Sequence, residues 1–136
     1  MARIYQGHPG IGSGEIEGEA LVASDGFSAR YDVDLTKGEF SRPAHKLCGE
    51  AFRDRIIVLD IAKGGVASAW MLRVLMHSDH RPKALILNWA NPIMAQGASF
   101  GEMPLIDRFD CDITKELKTG DRLRVTPEEG RIEVLN

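Results

Sequence analysis

Residues Arg55-Ile56-Ile57-Val58-Leu59-Asp60-Ile61 form a nearly continuous apolar, β-branched run. A strand of that composition belongs in a parallel sheet covered on both faces. The turn Lys63-Gly64-Gly65 follows directly. Beyond it Val66, Trp70 and Val74, together with Met71 and Leu75, recur at helical spacing as far as about His77, which predicts a helix with one apolar face. Ala84 to Trp89 then repeats the buried-strand pattern. Strand, helix and strand in that order make a βαβ unit, whose crossover is right-handed in almost every known case. In these patterns Trp70 and Trp89 fall at inward positions, which assigns both to the core.

The flanking segments have a different character. Arg3-Ile4-Tyr5 and Glu15 to Ala23 read as strands separated by the turn-rich stretch Gly7 to Gly14. The C-terminal Arg122 to Thr126 and Arg131 to Leu135 alternate apolar and polar residues around Pro127-Glu128-Glu129-Gly130, the pattern of a half-exposed hairpin. Asp25 to Glu50 lacks clear periodicity and reads as loop with short extended pieces. After the second buried strand, Asn91-Pro92 opens a short turn or helix that Gly97 ends, and Pro104 to Asp107 reads as a further short parallel strand. The whole is expected to be an α/β chain, a three-layer β/β/α domain over residues 1–136 with a parallel central sheet and a second, antiparallel β layer in which the chain ends meet.

With 136 residues, the chain has the size of one core-bearing domain. Its net charge is −3 and its basic residues are scattered singly, which argues against a nucleic-acid surface. Apolar stretches such as Ala84-Leu85-Ile86-Leu87 fall far short of the ~20 residues of a membrane span, and no signal-peptide pattern is present, so a cytoplasmic location is expected. Cys48 and Cys111 lie far apart without CxxC spacing. They are expected to be two solvent-shielded thiols and not a metal or cluster site.

A strand that passes through a glycine pair into a helix aims unpaired N–H groups and the positive end of the helix dipole at one point. Gly64 and Gly65 permit close approach of an anion there, Lys63 adds a positive charge, and Ser68 lies in the first helical turn, placed to cap the helix or face a ligand. Glycine pairs also join strands to helices simply because tight turns need them, so the ligand role rests on the position of the turn beyond the carboxyl end of a parallel strand. His45, in a polar loop segment, reads as an ordinary surface or hydrogen-bonded histidine. His77 and His80 flank the helix end, and His8 lies in the N-terminal turn. The Gly7 to Gly14 stretch is no Walker loop, because Glu15-Ile16-Glu17 follows it in place of Lys-Ser/Thr and a helix.

Taken in order, several segments resemble the small subunit, or swivelling domain, of the aconitase X family. They are Gly18 to Val22, Ser28, Val33-Asp34, Gly38, His45, Leu47, Gly49-Glu50, Ile57-Val58-Leu59, Lys63-Gly64-Gly65, Pro82 to Ile86, Ala95 to Ala98 and Pro104 to Asp107. The resemblance implies a β/β/α domain that covers the cleft of a large subunit, and that large subunit carries the cysteine ligands of an iron–sulfur cluster. This chain alone then binds no cofactor. The implied activity is a hydro-lyase reaction on a small hydroxy acid, either cis-3-hydroxy-L-proline, placed first, or mevalonate 5-phosphate. Lys63, Gly64, Gly65 and His45 are the candidate substrate contacts and Ser68 the candidate base.

Many relatives carry Gly-Arg-Gly-Ser-Ser at the turn, whereas Gly65 and Val66 stand at the serine positions here. Either Ser68 substitutes, or the base belongs to the large subunit, or the chemistry differs. Two other readings compete. A phosphohistidine swivelling domain needs a histidine beside the turn, and Val66 to Trp70 supplies none. A non-catalytic ligand-binding or regulatory domain would explain the missing serines.

Overall fold

The structure, a computed structural model, describes residues 3–136. Its strands are β1 (Arg3–Gln6), β2 (Ile16–Val22), β3 (Val33–Asp34), β4 (Glu39–Phe40), β5 (Arg55–Ile61), β6 (Ala84–Trp89), β7 (Leu105–Ile106), β8 (Arg122–Thr126) and β9 (Arg131–Val134). The helices are α1 (Val66–Met76), α2 (Pro92–Gly101) and the single turn α3 (Ile113–Glu116). A 3-10 turn at Pro127–Glu129 joins β8 to β9. Among the described residues no helix is long and apolar enough to cross a membrane.

Seven strands form one hydrogen-bonded sheet in the order β1-β9-β8-β2-β5-β6-β7. Strands β2, β5, β6 and β7 pair in parallel, while β2 with β8, β8 with β9 and β9 with β1 pair antiparallel. The hinge between the two halves is β2. Its first residues, Ile16 to Glu19, face β8, and its last, Glu19 to Val22, face β5. The N- and C-terminal strands do meet, with Arg3 opposite Val134.

Period-two alternation in the parallel strands sends side chains to two separate cores. Leu21, Ile57, Leu59, Leu85 and Leu87 pack with Leu72 and Leu75 of α1 and Met94 and Ala98 of α2. Their neighbours Ala20, Ile56, Val58, Ala84 and Ile86 pack against Leu123, Val125, Ile132 and Val134 of the antiparallel hairpin. The hairpin therefore lies over the parallel strands as a second β layer, although β2 keeps the hydrogen bonding continuous. Hairpin, parallel strands and helices give the β/β/α three-layer order expected from the sequence.

Four local expectations need correction. The buried face of α1 is Ser68, Ala69, Leu72 and Leu75, whereas Val66, Trp70 and Val74 are exposed. Trp70 and Trp89 are surface residues, 55% and 44% exposed. The chain has two apolar stripes on one helix, and the small residues Ser68 and Ala69 turn inward because α2 crosses at close range. A Cβ at Gly97 would lie 2.7 Å from the Ala69 Cβ, and one at Gly101 2.9 Å from the Arg73 Cα. The same contact explains why α2 runs through Gly97 to Gly101 instead of ending there. Asn91 caps α2 by accepting from the Met94 N–H at 2.8 Å, and Glu102 closes it in the left-handed conformation. Finally, Cys48 is exposed and Cys111 half-buried, so the thiols are less shielded than expected.

Candidate functional site

β5 ends at Ile61 and α1 begins at Val66, so Lys63-Gly64-Gly65 lies beyond the carboxyl end of a central parallel strand. Gly64 has φ +92, a conformation that favours glycine. Gly65 is the N-cap of α1 with φ −118, makes no side-chain capping bond, and has no carboxylate in the following turn. The first N–H groups of α1 are thus left to an external acceptor, and the helix dipole favours a negative one. Both glycines are exposed. A Cβ at Gly65 would meet nothing within 4 Å.

The turn is held by the segment Asp25 to Ser28. Phe27 donates its N–H to the Ile61 carbonyl at 2.9 Å, and Lys63 donates to the Phe27 carbonyl at 2.8 Å. The Lys63 side chain lies across Gly26, whose absent Cβ leaves room for it: a Cβ there would come within 3.1 Å of both Cδ and Nζ. The Lys63 side chain therefore packs over the Gly26 backbone, and its charge helps to hold the neighbouring Asp25 carboxyl ionised.

His45 is buried at 4% exposure, not a surface residue. Its Nδ1 accepts from the Leu47 N–H at 3.0 Å, which requires Nδ1 to be unprotonated, and Nε2 therefore donates to the Gly26 carbonyl at 2.8 Å. The ring stacks on Phe40 at 4.8 Å. Asp25 and Asp32 stand 3.8 and 3.9 Å from Nε2. Asp32 is fully buried and accepts from the Ser28 N–H at 2.8 Å, with Arg42 at 3.4 Å. Asp25 accepts from the backbone N–H groups of Gly26 and Lys46. Burial pushes its carboxyl up, but those N–H groups, helped by the Lys63 charge, more than offset this and hold it below the ordinary value.

Ser68 is buried at 2% exposure, beneath Gly64, with its Oγ 3.5 Å from that of Ser28. Gly64 and Gly65 thus face solvent and Lys63 is half-buried, while Ser68 and His45 lie beneath them. Asp25, Gly26 and Asp32 are the partners that sequence reasoning did not single out. The Asp25-Gly26 pair reads as an ordinary turn, and no periodicity announces that it will lie under Lys63.

On the hairpin side of the same strand ends, the Asn88 amide donates to Asp60 at 2.9 Å and to Asp112 at 2.8 Å. Thr114 donates to Asp112 and shares a 2.9 Å contact with Ser24. Bonds from Thr114 and Asn88 lower the Asp112 carboxyl below its ordinary value. These groups satisfy one another and lock α3 to β6. Among the described residues no three His, Cys, Asp or Glu side chains are grouped to hold a metal ion.

Comparison with known proteins matches residues 4–134 to the family described as the aconitase X swivel domain. The phosphomevalonate dehydratase small subunit of Methanococcoides burtonii is 34% identical over 93% of this chain and 92% of its own length. That of Pyrococcus horikoshii is 36% identical with the same coverage. Among solved structures, the crystal structure of Thermococcus kodakaraensis aconitase X in its holo-form superposes with a TM-score of 0.89 at 28% identity, over 98% of this chain and 99% of that one. The chain belongs to the aconitase X swivel-domain family.

Proposed function

We propose that this chain is the small subunit of a phosphomevalonate dehydratase, a hydro-lyase completed by a larger subunit. The observation that carries the reading is the uncapped α1 N-terminus, reached from β5 through a turn that includes Lys63, a site suited to a phosphate or carboxylate. The names of relatives at 34 and 36% identity favour mevalonate 5-phosphate over cis-3-hydroxy-L-proline, which reverses the order expected from the sequence.

In this reading Lys63, Gly64 and Gly65 hold the anionic end of the substrate and fix its reacting carbons against the large subunit. His45 keeps Gly26, and through it Lys63, in place. Ser68 lies under the turn, so the proton next to the carboxylate passes to a base on the large subunit. An iron–sulfur cluster held by that subunit would supply Lewis-acid chemistry for the departing hydroxide.

The test is to purify the coexpressed two-subunit complex and measure water loss from mevalonate 5-phosphate and from cis-3-hydroxy-L-proline. Turnover of the first and not the second is expected. Turnover of the second alone overturns the substrate assignment, and turnover of neither by an intact complex overturns the enzyme reading.

A further inference from the structure

Helix α1, with 11 residues, and α2, with 10, carry a single charged side chain between them, Arg73. In a chain that is 27% charged, helices at the protein surface normally carry a charged outer face. Here the outer face is apolar. Val66 is 63% exposed and Phe100 56%, and Trp70, Val74 and Ile93 are similarly open. Trp70 and Phe100 meet edge to face at 5.2 Å, and the Arg73 guanidinium lies 4.8 Å from the Phe100 ring centre. Between the helices runs a groove of about 250 Å³, walled by Val66, Trp70, Ile93 and Phe100 over a floor of Ala69 and Gly97.

The patch continues to the anion-binding turn. Val66 is the first residue of α1, directly after Gly65, and Ile61 and Trp89 occupy the paired last positions of β5 and β6 on the helix-bearing side of the sheet. Both are also exposed. Half-exposed aromatics at Trp70, Trp89 and Phe100 alone leave on the order of 300 Å² of ring surface in water. The neighbouring aliphatic side chains extend this toward the roughly 800 Å² that each partner gives to a standard specific interface. A contiguous apolar patch of this kind marks an interaction surface.

Its charge selects the partner. Lys63 and Arg73 are the ionised groups of the turn and the two helices, which contain no Asp or Glu. Two copies of this chain packed face to face would set these cations against like charges and close the turn against its own copy. A different protein, with an apolar ridge for the groove and carboxylates beside it for Arg73, satisfies both features. From this we infer that the outer face of α1 and α2, with Ile61 and Trp89, is the docking surface for the large subunit, and that docking there encloses the Lys63–Gly65 turn. This rests on the small-subunit reading above.

The experiment coexpresses the chain with the aconitase-X-type large subunit of the same organism and measures the dissociation constant of the complex. Val66→Glu and Phe100→Glu, both at exposed positions, should each weaken binding about 100-fold with the thermal midpoint of the isolated chain preserved. Ile4→Glu, on exposed β1 of the other β layer, should leave it unchanged. If the wild-type chains bind and neither helix variant weakens them, the surface assignment is overturned while the small-subunit reading stands. If the wild-type chains do not bind at all, the small-subunit reading falls and the docking surface with it. If the isolated chain forms a dimer that Val66→Glu abolishes without weakening the heteromeric complex, the face belongs to self-association and the inference is wrong.

Discussion

The carbonyl of Gly26 accepts the Nε2 proton of His45 at 2.8 Å, and the Lys63 side chain lies across the same glycine. One buried ring therefore lies beneath one half-buried lysine across a single backbone unit. His45→Ala removes the ring from its stack on Phe40 and leaves the Gly26 carbonyl and Leu47 N–H without that partner. A loss of about 2–4 kcal/mol in unfolding free energy is expected. His45→Gln, which keeps an amide donor at a similar reach, should lose less. Urea denaturation of the two variants measures the difference.

The two glycines of the turn are predicted to behave oppositely. Gly64→Ala puts a side chain at φ +92 and its Cβ against Ser68, at a cost of about 1–3 kcal/mol. Gly65→Ser projects into open space from an ordinary φ and should change stability by no more than about 0.5 kcal/mol. Thermal unfolding of both isolated variants is the check.

Asp25 makes stability depend on pH in a defined direction. Its folded-state carboxyl lies below the reference value of 3.8, so the native state favours the ionised form. That contribution is complete above the unfolded-state value and is lost as the pH falls through the folded one. The gap in thermal midpoint between wild type and Asp25→Asn should be full at pH 7 and close below about pH 4. A gap that stays constant from pH 7 to pH 3 contradicts the assignment.

Ser68→Ala should leave turnover of the complex within a few fold of wild type, because the hydroxyl is enclosed under Gly64. Loss of its contact with Ser28 should cost about 1 kcal/mol of stability. A drop of a thousandfold or more in kcat with the complex intact would restore Ser68 as the base.

The parallel half of the fold was legible because Ile56 to Leu59 and Ala84 to Leu87 are apolar without interruption, and few environments other than a sheet covered on both sides accept such runs. The hairpin was legible from its alternation. The inward face of α1 was not, since Val66, Trp70 and Val74 make as regular a stripe as Ala69, Leu72 and Leu75. The choice between them depends on Gly97, a residue of another helix. The turn at the site was readable as strand, glycine pair and helix, whereas its support was hidden. Asp25, Gly26 and Asp32 come from a segment without periodicity, and their proximity to His45 and Lys63 arises from tertiary contacts over 13 or more positions of chain, as between Asp32 and His45.

Under the proposed function the Lys63–Gly65 turn holds the anionic end of the substrate. Its most direct test is kcat/KM for mevalonate 5-phosphate in the two-subunit complex, wild type against Lys63→Ala, with complex formation verified for both. A fall of at least about tenfold is expected, corresponding to ~1.4 kcal/mol of lost anion binding, carried mainly by KM and partly recovered in Lys63→Arg. An unchanged kcat/KM in an intact Lys63→Ala complex would contradict it.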